Sequence, residues 1–185
     1  MRTFIAINLE KEIKENLSAL VEKLRKRGRG IRWVRREGMH LTLKFLGEIS
    51  EEKIPEIKNI LSNVAKNYKP FFLKIRGTGY FPVEKKIPRV IWTGLDADEA
   101  LTSIQQELER ELEKIGFPQE KRKFQAHLTL GRVKVASSIQ ETLLELKRYQ
   151  ESVFGEMVVH KITLFQSILK PSGAEYITLS EFQLR

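Results

Sequence analysis

His40-Leu41-Thr42-Leu43-Lys44-Phe45-Leu46-Gly47 reads HLTLKFLG, and its first four residues return as His127-Leu128-Thr129-Leu130. Polar and apolar residues alternate in each copy, as in a strand whose successive side chains point to opposite faces. His40 and Thr42 then share one face, and Leu41 and Leu43 the other. His127 and Thr129 stand likewise against Leu128 and Leu130. The leucines belong in a core. Each opposite face offers an imidazole and a hydroxyl side by side on a rigid element. The echo reaches further, because a serine lies ten residues after each histidine, at Ser50 and Ser137. A helical pattern follows each serine. Strand, turn and capped helix recur in the same order, so the chain reads as two similar α+β lobes placed back to back.

The flanking sequence completes the pattern. Arg2 to Asn8 reads as a strand, with Asn8 a candidate cap for the helix that follows. Ile13, Leu17, Leu20, Val21 and Leu24 recur at helical spacing, and Gly28 and Gly30 end that run. Ile31 to Val34 is a short strand and Met39 to Leu46 a stronger one. Ser50 is the expected cap of a second helix carrying Ile54, Ile57, Leu61 and Val64. Phe71 to Arg76 and Arg89 to Gly94 read as strands around a turn-rich segment from Gly77 to Pro88. A third helix carries Leu101, Ile104, Leu108, Leu112 and Ile115. His127 to Val133 is a strand, and Ser137 or Ser138 caps a fourth helix to about Arg148. Glu156 to His160, Ile162 to Leu169 and Tyr176 to Phe182 close the chain as strands. Pro171, Ser172 and Gly173 form the last turn.

The 185 residues carry 33 Lys and Arg against 24 Asp and Glu, a net charge of +9. Such an excess favours polyanionic partners, since each phosphate contact releases counterions. Cysteine is absent, which excludes disulfides, thiol catalysis and Cys-ligated zinc. There is no run of 18 apolar residues and no signal-peptide pattern at the N-terminus. The expectation is a cytoplasmic protein without membrane partners, acting as a monomer.

Two imidazoles and two hydroxyls suit phosphodiester cleavage. A nucleophilic water must lose a proton and the leaving oxygen must gain one, and two histidines supply both near neutral pH. Thr42 and Thr129 can donate to the non-bridging oxygens, where charge builds. The scheme needs no metal and no cofactor. His160, the third histidine, lacks such a setting and reads as exposed or structural. Strand parity puts Arg132 opposite His127, although a bulge at Gly131 would re-aim it toward a phosphate. Lys44 shares the parity of His40 and Thr42. Phe4, Trp33, Phe45, Tyr80 and Trp92 are candidates for stacking on a base, with Phe45 and Trp92 assigned to the core. Arg25, Lys26, Arg27, Arg29, Arg32, Arg35 and Arg36 form a basic segment suited to RNA backbone.

HLTLKFLG and HLTLGR resemble the paired HxTx motifs of the two-histidine phosphoesterase superfamily. Within it, the chain is most similar to the RNA 2′,3′-cyclic phosphodiesterases, also called 2′-5′ RNA ligases or LigT-like proteins. The resemblance extends to RTFIAINL (Arg2 to Leu9), PRVIWTGL (Pro88 to Leu95) and LFQSILKPSGAEY (Leu164 to Tyr176). It implies a single two-lobed α+β domain over residues 1–185. Each lobe would be an antiparallel sheet with helices packed outside, around a central cleft lined by the motifs at 40–43 and 127–130. It implies hydrolysis of a 2′,3′-cyclic phosphate at an RNA 3′ end, tRNA fragments included, to a 2′-phosphate. Reversal of that reaction would be 2′-5′ ligation. By motif, His40 is the proton donor to the leaving 3′ oxygen, His127 the acceptor from water, and Thr42 and Thr129 the phosphate-binding residues. Two other readings keep the same residues: a phosphodiesterase of small cyclic nucleotides such as ADP-ribose 1″,2″-cyclic phosphate, and a non-catalytic module binding nucleotides or RNA ends.

Overall fold

In the computed structural model, residues 1–84, 87–135, 139–171 and 173–185 are described. The expected capping serines Ser137 and Ser138, and Ser172 of the last turn, lie outside them. Among the described residues, nine strands form two antiparallel sheets. The first has the order β3(His40–Glu48), β1(Arg2–Asn8), β8(Lys161–Lys170), β9(Gly173–Gln183). The second runs β2(Ile31–Trp33), β6(His127–Val133), β5(Val90–Ala97), β4(Phe71–Phe81), β7(Val153–Val159).

Four helices among these residues cover the apolar faces: α1(Lys11–Arg25), α2(Ile54–Lys66), α3(Glu99–Glu113) and α4(Gln140–Lys147). Each of the first three buries one stripe, such as Ile13, Leu17, Leu20, Val21 and Leu24 on α1, as the helical period requires. Helices α2 and α3 pack together, α2 against β8 and β9 and α3 against β3, while α1 and α4 pack together and against the second sheet. The lobes are therefore not the two halves of the sequence. β1 and β3 begin the first sheet and the C-terminal strands complete it. Helix α1 leaves β1 to cover the other sheet, and α3 leaves β5 to cover the first. This exchange binds the lobes through one continuous core containing Leu41, Leu43, Leu128 and Leu130.

Local details depart from the sequence expectations. Asn8 ends β1 and does not cap α1, whose N-cap is Glu10 without a side-chain bond; its Oδ1 instead accepts from Lys14 Nζ at 2.7 Å. Ser50 precedes a short 3-10 turn and makes no side-chain cap bond, so α2 begins at Ile54 with proline in its first turn. The expected turn at Gly77 to Phe81 is the second half of β4. Gly77, at φ 76°, sits in a bulge there and lets the strand continue after it.

Candidate active site

Strand register explains which side chains leave the core. Along β1 and β3, Asn8 pairs with His40 and Ala6 with Thr42, whereas Ile5 pairs with Lys44. Leu43 is thus an extra residue that reverses the parity beyond it. Along β5 and β6, Gly94 pairs with His127 and Trp92 with Thr129, whereas Ile91 pairs with Gly131. Leu130 is the corresponding extra residue. Both motifs carry a bulge at their fourth position. It leaves Leu43 with Lys44, and Leu130 with Gly131, on the core side in immediate succession.

The consequence differs from strict alternation. Lys44 does not share the face of His40: it is only 6% exposed and pairs with the buried Glu109 of α3. The side chain that shares that face is Phe45, which lies opposite Phe4 in register and is 67% exposed rather than in the core. In the second motif the equivalent position is Arg132. Val90 and Trp92 share a face, and Arg132 pairs with Val90, so Arg132 lies on the side of His127 and Thr129. Arg32 is paired with Arg132 and exposed, adding a second guanidinium to that face. Gly131 is needed for the close approach, since a Cβ there would meet Ile31 and Trp33 side-chain carbons at 2.8 Å.

The four motif side chains His40, Thr42, His127 and Thr129 are half-buried. Strands β3 and β6 belong to different sheets yet contact one another directly. His40 lies in an aromatic box. Phe4 stacks on its ring at 4.7 Å, Phe165 at 5.7 Å, and Tyr176 meets it edge-on at 5.0 Å. This desolvation, helped by the positive charge of Lys14, pushes the imidazole from 6.5 down to about 4. His127 is held differently. Its Nδ1 lies 2.7 Å from the Gln125 carbonyl oxygen. That contact requires Nδ1–H as donor, so in the neutral ring the lone pair is on Nε2. Phe81 meets the His127 ring edge-on at 5.3 Å and stacks on Trp92 at 5.2 Å.

Phe81, Phe165 and Tyr176 did not emerge from the motif reading, because each is brought in from a distant strand. Of the aromatic candidates, Phe4 is buried against His40, Trp33 lies over Gly131, and Tyr80 packs against the main core. Trp92 lies on the His127 face instead of the core assigned to it. His160 is exposed. Beside His40, a cavity of about 440 Å³ is lined by Asn8, Leu9, Lys11, Lys14, Arg36 and Glu37. Among the described residues no group of three or more His, Asp or Glu is placed to hold a metal ion. No helix among them is long and apolar enough to cross a membrane.

The family model for LigT-like phosphoesterases matches the chain twice in tandem, over residues 7–92 and 94–176. This protein belongs to the LigT-like phosphoesterase family. Each match contains one HxTx strand, in agreement with the internal echo. The RNA 2′,3′-cyclic phosphodiesterase of Thermotoga maritima is 41% identical over 99% of this chain and 95% of its own length. That of Archaeoglobus fulgidus is 37% identical over 99% of this chain and all of its own. Among LigT-like folds, the crystal structure of a Thermus thermophilus protein superposes with a TM-score of 0.84 at 33% identity, covering 100% of this chain and 98% of that one. E. coli LigT complexed with 3′-AMP gives 0.79 at 26% identity, over 99% and 97%.

Proposed function

We propose that this LigT-like protein is an RNA 2′,3′-cyclic phosphodiesterase in which His127 and His40 relay protons across a bound cyclic phosphate. The observation that carries the reading is the contact between β3 and β6, each presenting a histidine and a threonine on its non-core face. Its relatives named for this activity cover 99% of the chain.

In this scheme water attacks phosphorus and gives its proton to His127 Nε2, whose lone pair is kept available by the Nδ1 contact to Gln125. The bond from phosphorus to the 3′ oxygen breaks, and His40 delivers a proton to that oxygen. A 2′-phosphomonoester and a free 3′-hydroxyl remain. An imidazole held near 4 is neutral in the free protein at neutral pH. The singly charged cyclic phosphate counters the desolvation and Lys14, and recruits the proton that His40 then releases readily. Thr42, Thr129 and Arg132 surround the non-bridging oxygens as charge builds. Ligation is the reverse path, with an RNA 5′-hydroxyl in place of water and the histidines exchanging roles.

An oligonucleotide ending in a 2′,3′-cyclic phosphate, incubated with the protein in EDTA, should yield a 2′-phosphate. His40→Ala and His127→Ala should each abolish turnover while the fold persists by circular dichroism. A fully active single variant, or a 3′-phosphate product, would refute the scheme. The cations flanking both motifs favour RNA over a small cyclic nucleotide, and parallel assays with ADP-ribose 1″,2″-cyclic phosphate test that preference.

A further inference from the structure

The basic segment that the sequence offers to RNA is dispersed by folding. Arg25 turns to Glu22 on its own helix, and Arg27 to Glu145. Arg35 lies against Gly173 at the turn between β8 and β9. Arg36 alone of these lines the cavity beside His40, where Lys11 and Lys14 of α1 join it.

Lys14 is the unusual member. The residue as a whole is half-buried, and its ammonium, at the solvent-exposed end, donates at 2.7 Å to the neutral Asn8 side chain, not to a carboxylate. Burial and the neighbouring Arg36 both depress its pKa, with only Glu37 acting against them. Lys11 and Arg36 share one exposed carboxylate, Glu15, at 3.8 and 3.1 Å. The lining of the cavity thus carries three cations and one carboxylate, Glu37, while Glu15, outside the lining, pairs with Lys11 and Arg36 and leaves the Lys14 ammonium crowded by Arg36. An anion seated there would relieve that crowding.

Its position relative to the site is set by register. Asn8 is paired with His40, so the two side chains stand side by side on one sheet face, and Lys14 is bonded to Asn8. On its other flank His40 is closed by Phe4, Phe165 and Tyr176. A chain whose terminal phosphate sits at His40 meets an open, cation-lined path past Asn8.

We propose that the cavity formed by Lys14, Lys11, Arg36 and Asn8 is a second phosphate subsite, which takes the internucleotide phosphate nearest the cyclic end of the RNA. This rests on the cyclic phosphodiesterase reading. It adds that substrate length is sensed by Lys14, and that a mononucleotide leaves this cation without its anion.

The test compares kcat/KM for three substrates: a 2′,3′-cyclic mononucleotide, a dinucleotide with the same cyclic end, and that dinucleotide with a neutral methylphosphonate linkage. The native protein should favour the phosphodiester dinucleotide about tenfold or more, as one charge-assisted contact implies. The methylphosphonate should lose that advantage. Lys14→Gln should reduce the dinucleotide-to-mononucleotide ratio toward one. It should also flatten the salt dependence of dinucleotide turnover by about 0.7 in log–log slope, the share of one single-strand phosphate contact. Equal losses on both substrates in Lys14→Gln would mean that Lys14 acts only through His40, and would overturn the subsite. Equal turnover of the phosphodiester and methylphosphonate dinucleotides would point to a site for free phosphate and would overturn it as well. Failure to open any cyclic phosphate would instead sink the parent reading, so the two failures are distinguishable.

Discussion

Lys44 on β3 and Glu109 on α3 form an ion pair buried at both ends, 6% and 7% exposed. Its polar capacity is met: Lys44 Nζ also donates to the Pro118 carbonyl at 2.9 Å, and Glu109 accepts from Gln105 Nε2 and the Glu120 amide at 3.0 and 3.1 Å. The pair joins the first motif strand to the segment that leads, within a few residues, into His127. Removing one partner leaves an uncompensated buried charge, which typically costs about 3–5 kcal/mol, while an apolar pair of similar volume is often neutral. Glu109→Ala should therefore lower the denaturant midpoint strongly. The double substitution Lys44→Met with Glu109→Leu should recover most of the loss. Equal midpoints for the native protein and Glu109→Ala would show that the pair is not a structural strut.

The aromatic box around His40 sets a pH signature. In the folded protein its pKa lies near 4, against 6.5 for an unshielded imidazole. Between those values the unfolded chain binds a proton that the folded chain does not. This component of stability is complete above 6.5 and is lost as pH falls toward 4, at up to about 1.4 kcal/mol per pH unit. An NMR titration should find the His40 ring titrating near 4. Phe165→Ala, which admits water to the box, should move it upward, and added inorganic phosphate should do the same in the native protein. A titration near 6.5 in the native protein would contradict the box.

Much of this is legible in the sequence, and what is not has separate physical causes. The two HxTx strands and the helix stripes follow from periodicity and repetition, and His160, read as exposed or structural for want of a motif around it, is exposed. Lys44 and Phe45 sit on the faces opposite to those that alternation and hydrophobicity predict because a bulge intervenes, and Trp92 lies on the His127 face because an aromatic strand residue can serve a site as well as a core. A single extra residue at Leu43 exchanges the faces of Lys44 and Phe45. The same device at Leu130 was foreseeable because Gly131 follows it. The box of Phe165 and Tyr176 around His40 and the exchange of helices between lobes are long-range relationships, which local pattern does not encode.

Arg132 owes its place to that second bulge, and its fork of donors should matter more than its charge. Arg132→Ala should lower kcat/KM by about 10²–10³, the usual effect of removing a donor to developing charge. Arg132→Lys should restore only part of it, because a point charge does not reproduce bidentate contact. Arg32→Ala, one strand further out, should act mainly on KM. Kinetics of the three variants check the order, and an Arg132→Lys enzyme with full activity would argue against a bidentate role.

Phe45 occupies in the first motif the position that Arg132 occupies in the second, so a ring replaces a guanidinium at related sites of the duplicated fold. The ring is 67% exposed and lies 6.0 Å from Phe4, which in turn stacks on His40. An aromatic face so placed has little to do with stability, and Phe45→Ala should change unfolding free energy by no more than about 0.5 kcal/mol. Stacking on a base is worth about 1–3 kcal/mol. The same variant should therefore raise KM for cyclic-ended oligonucleotides by roughly 5- to 150-fold while leaving kcat nearly unchanged. Phe45→Trp should keep KM close to native, because it retains a stacking face. A loss confined to kcat, or a large fall in stability, would place Phe45 in the architecture of the site and not in contact with the nucleobase.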